Sequence, residues 1–192
     1  MKKFLARLLI FLLLLYVIGF FLSGDWSVSR SRVVKADRAL IHSYVADLHT
    51  WPEWTAWTAA RDPECKWSYD GELAGKGASY SWDGPKLGQG RLELTEASLA
   101  GGIEYALDFG SGGDPDHGTI TYADVDGGVE VTWKMWGRED GSVGHWMSMV
   151  VDRFVGPDFE KGLDGLAKEC DRGVPGRIES GVDDVLEKLG GE

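Results

Sequence analysis

The chain has 192 residues, with 20 basic residues against 31 acidic ones. No Lys/Arg-rich stretch offsets the excess of acid, and phosphate backbones need neutralising cations, so nucleic acid is excluded as a partner. The length suits one domain plus an anchor, and the acidity disfavours peripheral adhesion to anionic lipid.

The first element is an apolar run. Residues 4–22 are interrupted only by Arg7. At about 1.5 Å per residue they would cover roughly 28 Å as a helix, close to the ~30 Å hydrocarbon core of a bilayer. Arg7 lies near one end, where its side chain can snorkel. A cleaved signal peptide is the rival reading, but no small-x-small site follows the run, which exits through Phe20-Phe21-Leu22-Ser23-Gly24. No Cys follows either, which excludes a lipoprotein anchor. Residues 1–23 are therefore expected to be one transmembrane helix. Lys2, Lys3 and Arg7 precede the unbroken apolar stretch 8–22 and Asp25 follows it, so a single-pass topology with an extracytoplasmic domain is expected.

A strand is expected over residues 26–35, with Val28, Val33 and Val34 as β-branched positions. Asp37 is placed to cap a helix from Arg38, whose apolar positions Leu40, Ile41, Tyr44, Val45 and Leu48 follow helical spacing. Trp51-Pro52 is expected to end it, because a residue before Pro is pushed from the α region. From Cys65 to about Met149 the period becomes two, with Gly-rich turns. Trp67 and Tyr69, then Ala78, Tyr80 and Trp82, then Leu92 and Leu94 alternate with polar neighbours. Ile103, Tyr105, Leu107 and Phe109 share one face, as do Val129, Val131, Trp133 and Met135. Such alternation predicts an antiparallel sheet with one buried face. The period changes again at Val155, Phe159, Leu163, Leu166 and Cys170, an amphipathic helix over about 150–171 that would cover that face. A weaker helical pattern at Ile178, Val182, Val185 and Leu189 gives residues 173–192 as a tail with a short helix or a frayed end.

This order, β-αα-β6-α, resembles the SRPBCC (START-like) superfamily, and several segments resemble its polyketide cyclase/dehydrase-type branch. They are the Trp-rich stretch Trp51-Pro52-Glu53-Trp54 continuing to Trp57 and Asp62-Pro63; residues 77–82 with Gly88-Gln89-Gly90; residues 131–137; and residues 155–163 opening the last helix. The resemblance covers about residues 26–171. It implies an α+β helix-grip fold over residues 24–172, a curved antiparallel sheet wrapped around a long C-terminal helix, with a cavity between them for a hydrophobic or lipid-like molecule. It transfers no catalytic residue.

The residues themselves suggest little reaction chemistry. His42 and His49 are seven apart, which is poor metal spacing, and no metal or cofactor is expected. There is no Gly-x-Ser-x-Gly elbow, neither cysteine has a neighbouring His, and no Gly pair precedes a phosphate-binding helix. Glu104 and Asp108 fall on the polar side of their strand. Cys65 and Cys170 read as two small buried side chains, with a disulfide as the alternative. The informative residues are aromatic. Tyr80, Trp82, Tyr105, Phe109, Trp133 and Met135 are expected on the inner face, opposite Phe159 and Leu163 from the helix, with His145 offering one hydrogen bond. The alternative for each is plain core packing. Trp51, Trp54 and Trp57 either rim the mouth or plug the sheet end.

The expected function is that of a membrane-tethered, non-enzymatic binding protein for a hydrophobic or lipid-like small molecule. The alternatives are a cyclase-like enzyme on a polyketide-type substrate, which needs His145, Tyr80 or Glu104 to converge, and an envelope interaction module without a ligand. The sequence leaves the oligomeric state open.

Overall fold

A computed structural model describes residues 1–110 and 113–173. The chain runs α1 (Lys2–Gly19), β1 (Asp25–Val34), α2 (Arg38–Ala46), α3 (Trp51–Trp54), β2 (Lys66–Gly71), β3 (Ala78–Gly84), β4 (Gly88–Ser98), β5 (Gly102–Asp108), β6 (Asp116–Val125), β7 (Gly128–Arg138), α4 (Gly141–Ser148) and α5 (Val151–Arg172). The seven strands form one curved antiparallel sheet in the order β1-β7-β6-β5-β4-β3-β2. The long C-terminal helix α5 lies against it, which is the α+β helix-grip arrangement. The tail pattern at residues 178–189 lies outside the described residues.

The period-two segments become strands because one face of each is apolar. In β7, Val129, Val131, Trp133 and Met135 are buried, while Lys134 and Trp136 point outward. β5 does the same, with Ile103, Tyr105 and Leu107 inward and Glu104 and Asp108 exposed. Two cross-strand pairs set an aromatic ring over a glycine: Tyr105 opposite Gly118 and Trp82 opposite Gly90. A Cβ at Gly118 would fall inside the Tyr105 ring, so the glycine is what lets that ring lie flat on the sheet.

On α5, Phe159, Leu163, Leu166 and Cys170 face the sheet and are buried. Its outer side is charged and stitched to β1. Arg30 donates through Nε to Glu160 at 2.7 Å and through Nη1 to Asp152 at 2.8 Å, and Arg32 pairs with Asp164. The two carboxylates hold the Arg30 guanidinium still more firmly protonated, hydrogen bonding to Asp152 being the leading cause. Such exposed pairs contribute little each, and orient the helix more than they stabilise it. Both cysteines are free thiols, Cys170 buried and Cys65 half-buried.

Three local expectations are corrected. Pro52 does not end a helix: α2 stops at Ala46, and Pro52 sits in the first turn of the separate α3, where a missing N–H is no loss. Residues 141–148 are helix, not the last of the strands, because that stretch lacks both alternation and β-branched pairs. The third concerns the anchor. No helix among the described residues is long and apolar enough to cross a membrane. The helix ends at Gly19, before the apolar run does at Leu22. The 18-residue helix it forms includes Lys2 and Lys3, with Arg7 in its second turn.

Candidate functional site

The inner face of the sheet, the α3 segment and the first turns of α5 enclose a cavity of about 250 Å³. Its walls are Trp67, Tyr80, Trp82, Leu92, Tyr105, Leu107 and Met135 from the strands, and Trp51 and Trp57 from the segment after α2. Phe154, Val155 and Asp158 close it from α5, with Phe109, Leu87 and Arg61 at the mouth. Ring meets ring along the wall. Tyr80 lies 5.6 Å from both Trp67 and Trp82, and Trp82 meets Phe109 edge-on at 5.9 Å. Offset and edge-on contacts are the favoured aromatic geometries and leave a stiff surface.

Polar groups are few and placed. At the mouth, Arg61 Nη1 donates to Asp158 Oδ2 at 2.6 Å. Behind it, Asp62 is buried and its Oδ2 accepts from the backbone N–H groups of Lys86 and Leu87 at 2.8 and 3.0 Å. Burial opposes ionisation there, but the N–H groups of Leu87, Lys86 and Glu64 outweigh it and hold the Asp62 carboxyl below its ordinary range. Asp62 thus ties the β3–β4 turn to the loop carrying Arg61 and sets both sides of the mouth. Deeper in, the Tyr105 hydroxyl accepts from Trp133 Nε1 at 2.9 Å. The Tyr80 hydroxyl has no hydrogen-bond partner among the described residues. Burial pushes the ionisation of both tyrosines well up, so both stay neutral donors.

Of the nine residues expected to meet a ligand, Tyr80, Trp82, Tyr105, Phe109 and Met135 line the cavity. Trp133, Phe159 and Leu163 do not. Trp133 and Phe159 stack on each other at 4.2 Å and 11°, and together with Leu163 they form packed core behind the wall. His145 lies elsewhere: its Nδ1 is 2.8 Å from the Gly19 carbonyl, at the junction of α1 and α4. Glu104 is exposed on the outer face of β5, so His145, Tyr80 and Glu104 do not converge. The Trp-rich segment both plugs and lines. Trp54 is sealed into the core, whereas Trp51 and Trp57 reach the cavity. Leu92, Leu107 and Trp67 were legible as inward positions of their strands. Arg61 and Asp158, far apart in sequence, carried no signal at all.

One titration sits near the same end of the sheet. Burial, and then Glu139, raise the Asp116 carboxyl to about 6. In the unfolded chain an aspartate ionises near pH 4. The fold therefore favours the protonated form, and its contribution is present below pH 4 and is lost as pH rises through about 6. Urea midpoints at pH 4.5 and pH 7 should fall more for the native chain than for Asp116→Asn. Equal falls would contradict this assignment.

The family described as "Polyketide cyclase / dehydrase and lipid transport" matches residues 25–171. No curated protein matches the chain. Among solved structures, a protein of unknown function from Staphylococcus aureus superposes with a TM-score of 0.59 at 9% identity, covering 78% of this chain and 98% of that one. A protein from Chromobacterium violaceum gives 0.54 at 16% identity over 74% and 95%, and one from Rhodobacter sphaeroides 0.54 at 13% over 78% and 95%. At such identities these structures share the fold alone. The family match spans most of the chain, and the sheet, the gripping helix and the enclosed cavity agree with it: the chain belongs to the polyketide cyclase/dehydrase and lipid transport family.

Proposed function

We propose that this protein binds a compact hydrophobic or lipid-like molecule in the cavity beneath α5 and is held at a membrane by α1. The observation that carries the binding reading is the aromatic-walled cavity itself. At about 250 Å³ it lies just under the ~300–1,000 Å³ of ordinary small-molecule sites, so it suits one compact apolar body. The Tyr80 hydroxyl offers one donor inside, and the Arg61–Asp158 pair offers a place for a polar group at the mouth.

Support for the membrane comes from the surface of α1. Leu9, Ile10, Phe11, Leu12 and Leu13 are all more than half exposed, and five consecutive positions go right round a helix. An apolar surface of that extent is not left to water. With Lys2, Lys3 and Arg7 at its start, α1 is suited to embed in lipid with its cations among the headgroups.

Native mass spectrometry of the full chain, purified in mild detergent, tests the binding reading. A co-purifying apolar species with one-to-one stoichiometry is expected. A chain that carries none, and that takes up none when offered decanoic acid or naphthol, would overturn it.

A further inference from the structure

The apolar surface of α1 does not end with that helix. α4 is fixed across its last turns by side chains bonded to backbone carbonyls. Trp146 Nε1 donates to Leu15 O at 3.1 Å, Ser142 Oγ to Tyr16 O, and Ser148 Oγ to Ser23 O at 2.9 Å; His145 Nδ1 lies 2.8 Å from Gly19 O. Two of these contacts, to Tyr16 and Gly19, reach the last turn of α1, where a helix leaves its carbonyls without an intrahelical partner. Together the contacts use up the polar atoms of α4 on one side. On the other side Val143 and Met147 are 67% and 50% exposed; Met149, just past the end of α4, is 64% exposed, and Phe154 at the start of α5 is 67% exposed.

The stretch around them is unusual for this chain. Residues 141–151 contain no Asp, Glu, Lys or Arg, although charged residues make up 27% of the sequence. Trp146 has the bearing of an interfacial tryptophan, its N–H satisfied by a carbonyl and its ring partly exposed. The position matters as much as the composition. The register places Asp25, Arg138, Asp116, Leu107 and Asp83 at one end of the sheet, the end where α1 enters. The cavity mouth, with Phe109 and Leu87, is at that end too, and Phe154 belongs both to the cavity wall and to the exposed apolar strip.

We propose that α4 and Phe154 form a lip seated in the bilayer interface, so that the cavity opens onto lipid. This rests on the reading that α1 is embedded in a membrane. The occupant is lipid because the strip is continuous with α1: any bilayer that takes in α1 through Phe21 also reaches α4, which is hydrogen-bonded to residues 15–23. With no cation in residues 141–151, the lip is held by apolar burial alone and needs no anionic headgroup. A ligand then passes between bilayer and cavity beside Phe154.

The test uses the full chain with Cys65→Ser and Cys170→Ala, reconstituted in phosphatidylcholine vesicles. An environment-sensitive nitrobenzoxadiazole label is placed singly at Leu12→Cys, Met147→Cys or Leu99→Cys, the last in the β4–β5 turn at the opposite end of the sheet. Labels at 12 and 147 are expected to emit to the blue and to be quenched by spin-labelled lipid, and the label at 99 to do neither. A lipid-quenched label at 12 with a water-exposed label at 147 overturns the lip and leaves the tether standing. A label at 12 in water overturns both. A blue-shifted label at 147 that lipid does not quench means a protein partner or a second copy covers the strip, and also overturns the lip. Unlabelled protein with both native cysteines gives an independent readout: brominated phosphatidylcholine should quench its tryptophan emission less after Trp146→Phe. Equal quenching counts against the lip.

Discussion

Trp133→Ala is expected to cost about 3–5 kcal/mol of stability, the range for removing a large buried aromatic side chain. Trp133 is fully buried and stacked on Phe159 at 4.2 Å. Trp51, Trp54 and Trp57 approach the same ring at 5.9, 5.3 and 5.7 Å, so one indole joins β7, α5 and the segment after α2. Gly162 gives it room, since a Cβ there would press on the indole from the helix side. Alanine would leave a void between sheet and helix and strand the Tyr105 hydroxyl, which now accepts the indole N–H. Against a typical total of 5–15 kcal/mol, the loss would bring the midpoint of urea unfolding far down. Trp133→Phe keeps an aromatic stack and loses the hydrogen bond, worth about 1 kcal/mol, together with part of the ring. If alanine cost no more than phenylalanine, the structural role assigned to this stack would be wrong.

The second large effect is on binding. Val155 is half-buried and lines the cavity from the first turns of α5. A tryptophan there would project its indole into about 250 Å³ and take much of the space. Val155→Trp should weaken the apolar fluorophore 8-anilinonaphthalene-1-sulfonate by at least about tenfold, equivalent to about 1.4 kcal/mol. The fluorophore is titrated against the full chain, with protein-free micelles as the blank. The urea midpoint should move little, because the indole enters empty space and not packed core. Unchanged affinity in a folded variant would place the fluorophore outside the cavity and remove the support for a ligand there.

The two substitutions mark where sequence reasoning could and could not reach. Period two showed which side chains of β3, β5 and β7 point inward, and the spacing of Phe159, Leu163, Leu166 and Cys170 showed the face of α5. Facing inward is a property of one strand or one helix. Whether an inward ring meets another ring or an empty space depends on how two elements are offset, and no local pattern carries that. Hence Trp133 and Tyr80 looked alike, although one is sealed against Phe159 and the other lines the cavity. The Arg61–Asp158 pair has the same cause, since it joins a loop to a helix 97 residues away. α4 was missed for another reason. Gly, Ser, His and Met dilute both periodicities, and what fixes that helix is α1, an element from the far end of the sequence. His145 was placed in the cavity by its nearness to the last helix, while its ring is taken by the Gly19 carbonyl.

The strand order also bears on how the chain comes to be folded. β1 is the first strand made, yet its partner in the sheet is β7, the last: Asp25 pairs with Arg138 and Val34 with Val129. At a synthesis rate of about 5–20 residues per second, β1 waits on the order of 10 s for that partner. Sheet closure must then bring together segments distant along the chain, which belongs to folding on the order of milliseconds to seconds. During the wait β1 is an unpaired strand, the kind of edge that invites association with other chains. Its sequence, DWSVSRSRVV, places Ser27, Ser29, Arg30, Ser31 and Arg32 along its length. Charge and small polar side chains interrupt an aggregation-prone strand. The arginines that later hold α5 thus serve first to keep a waiting strand in solution.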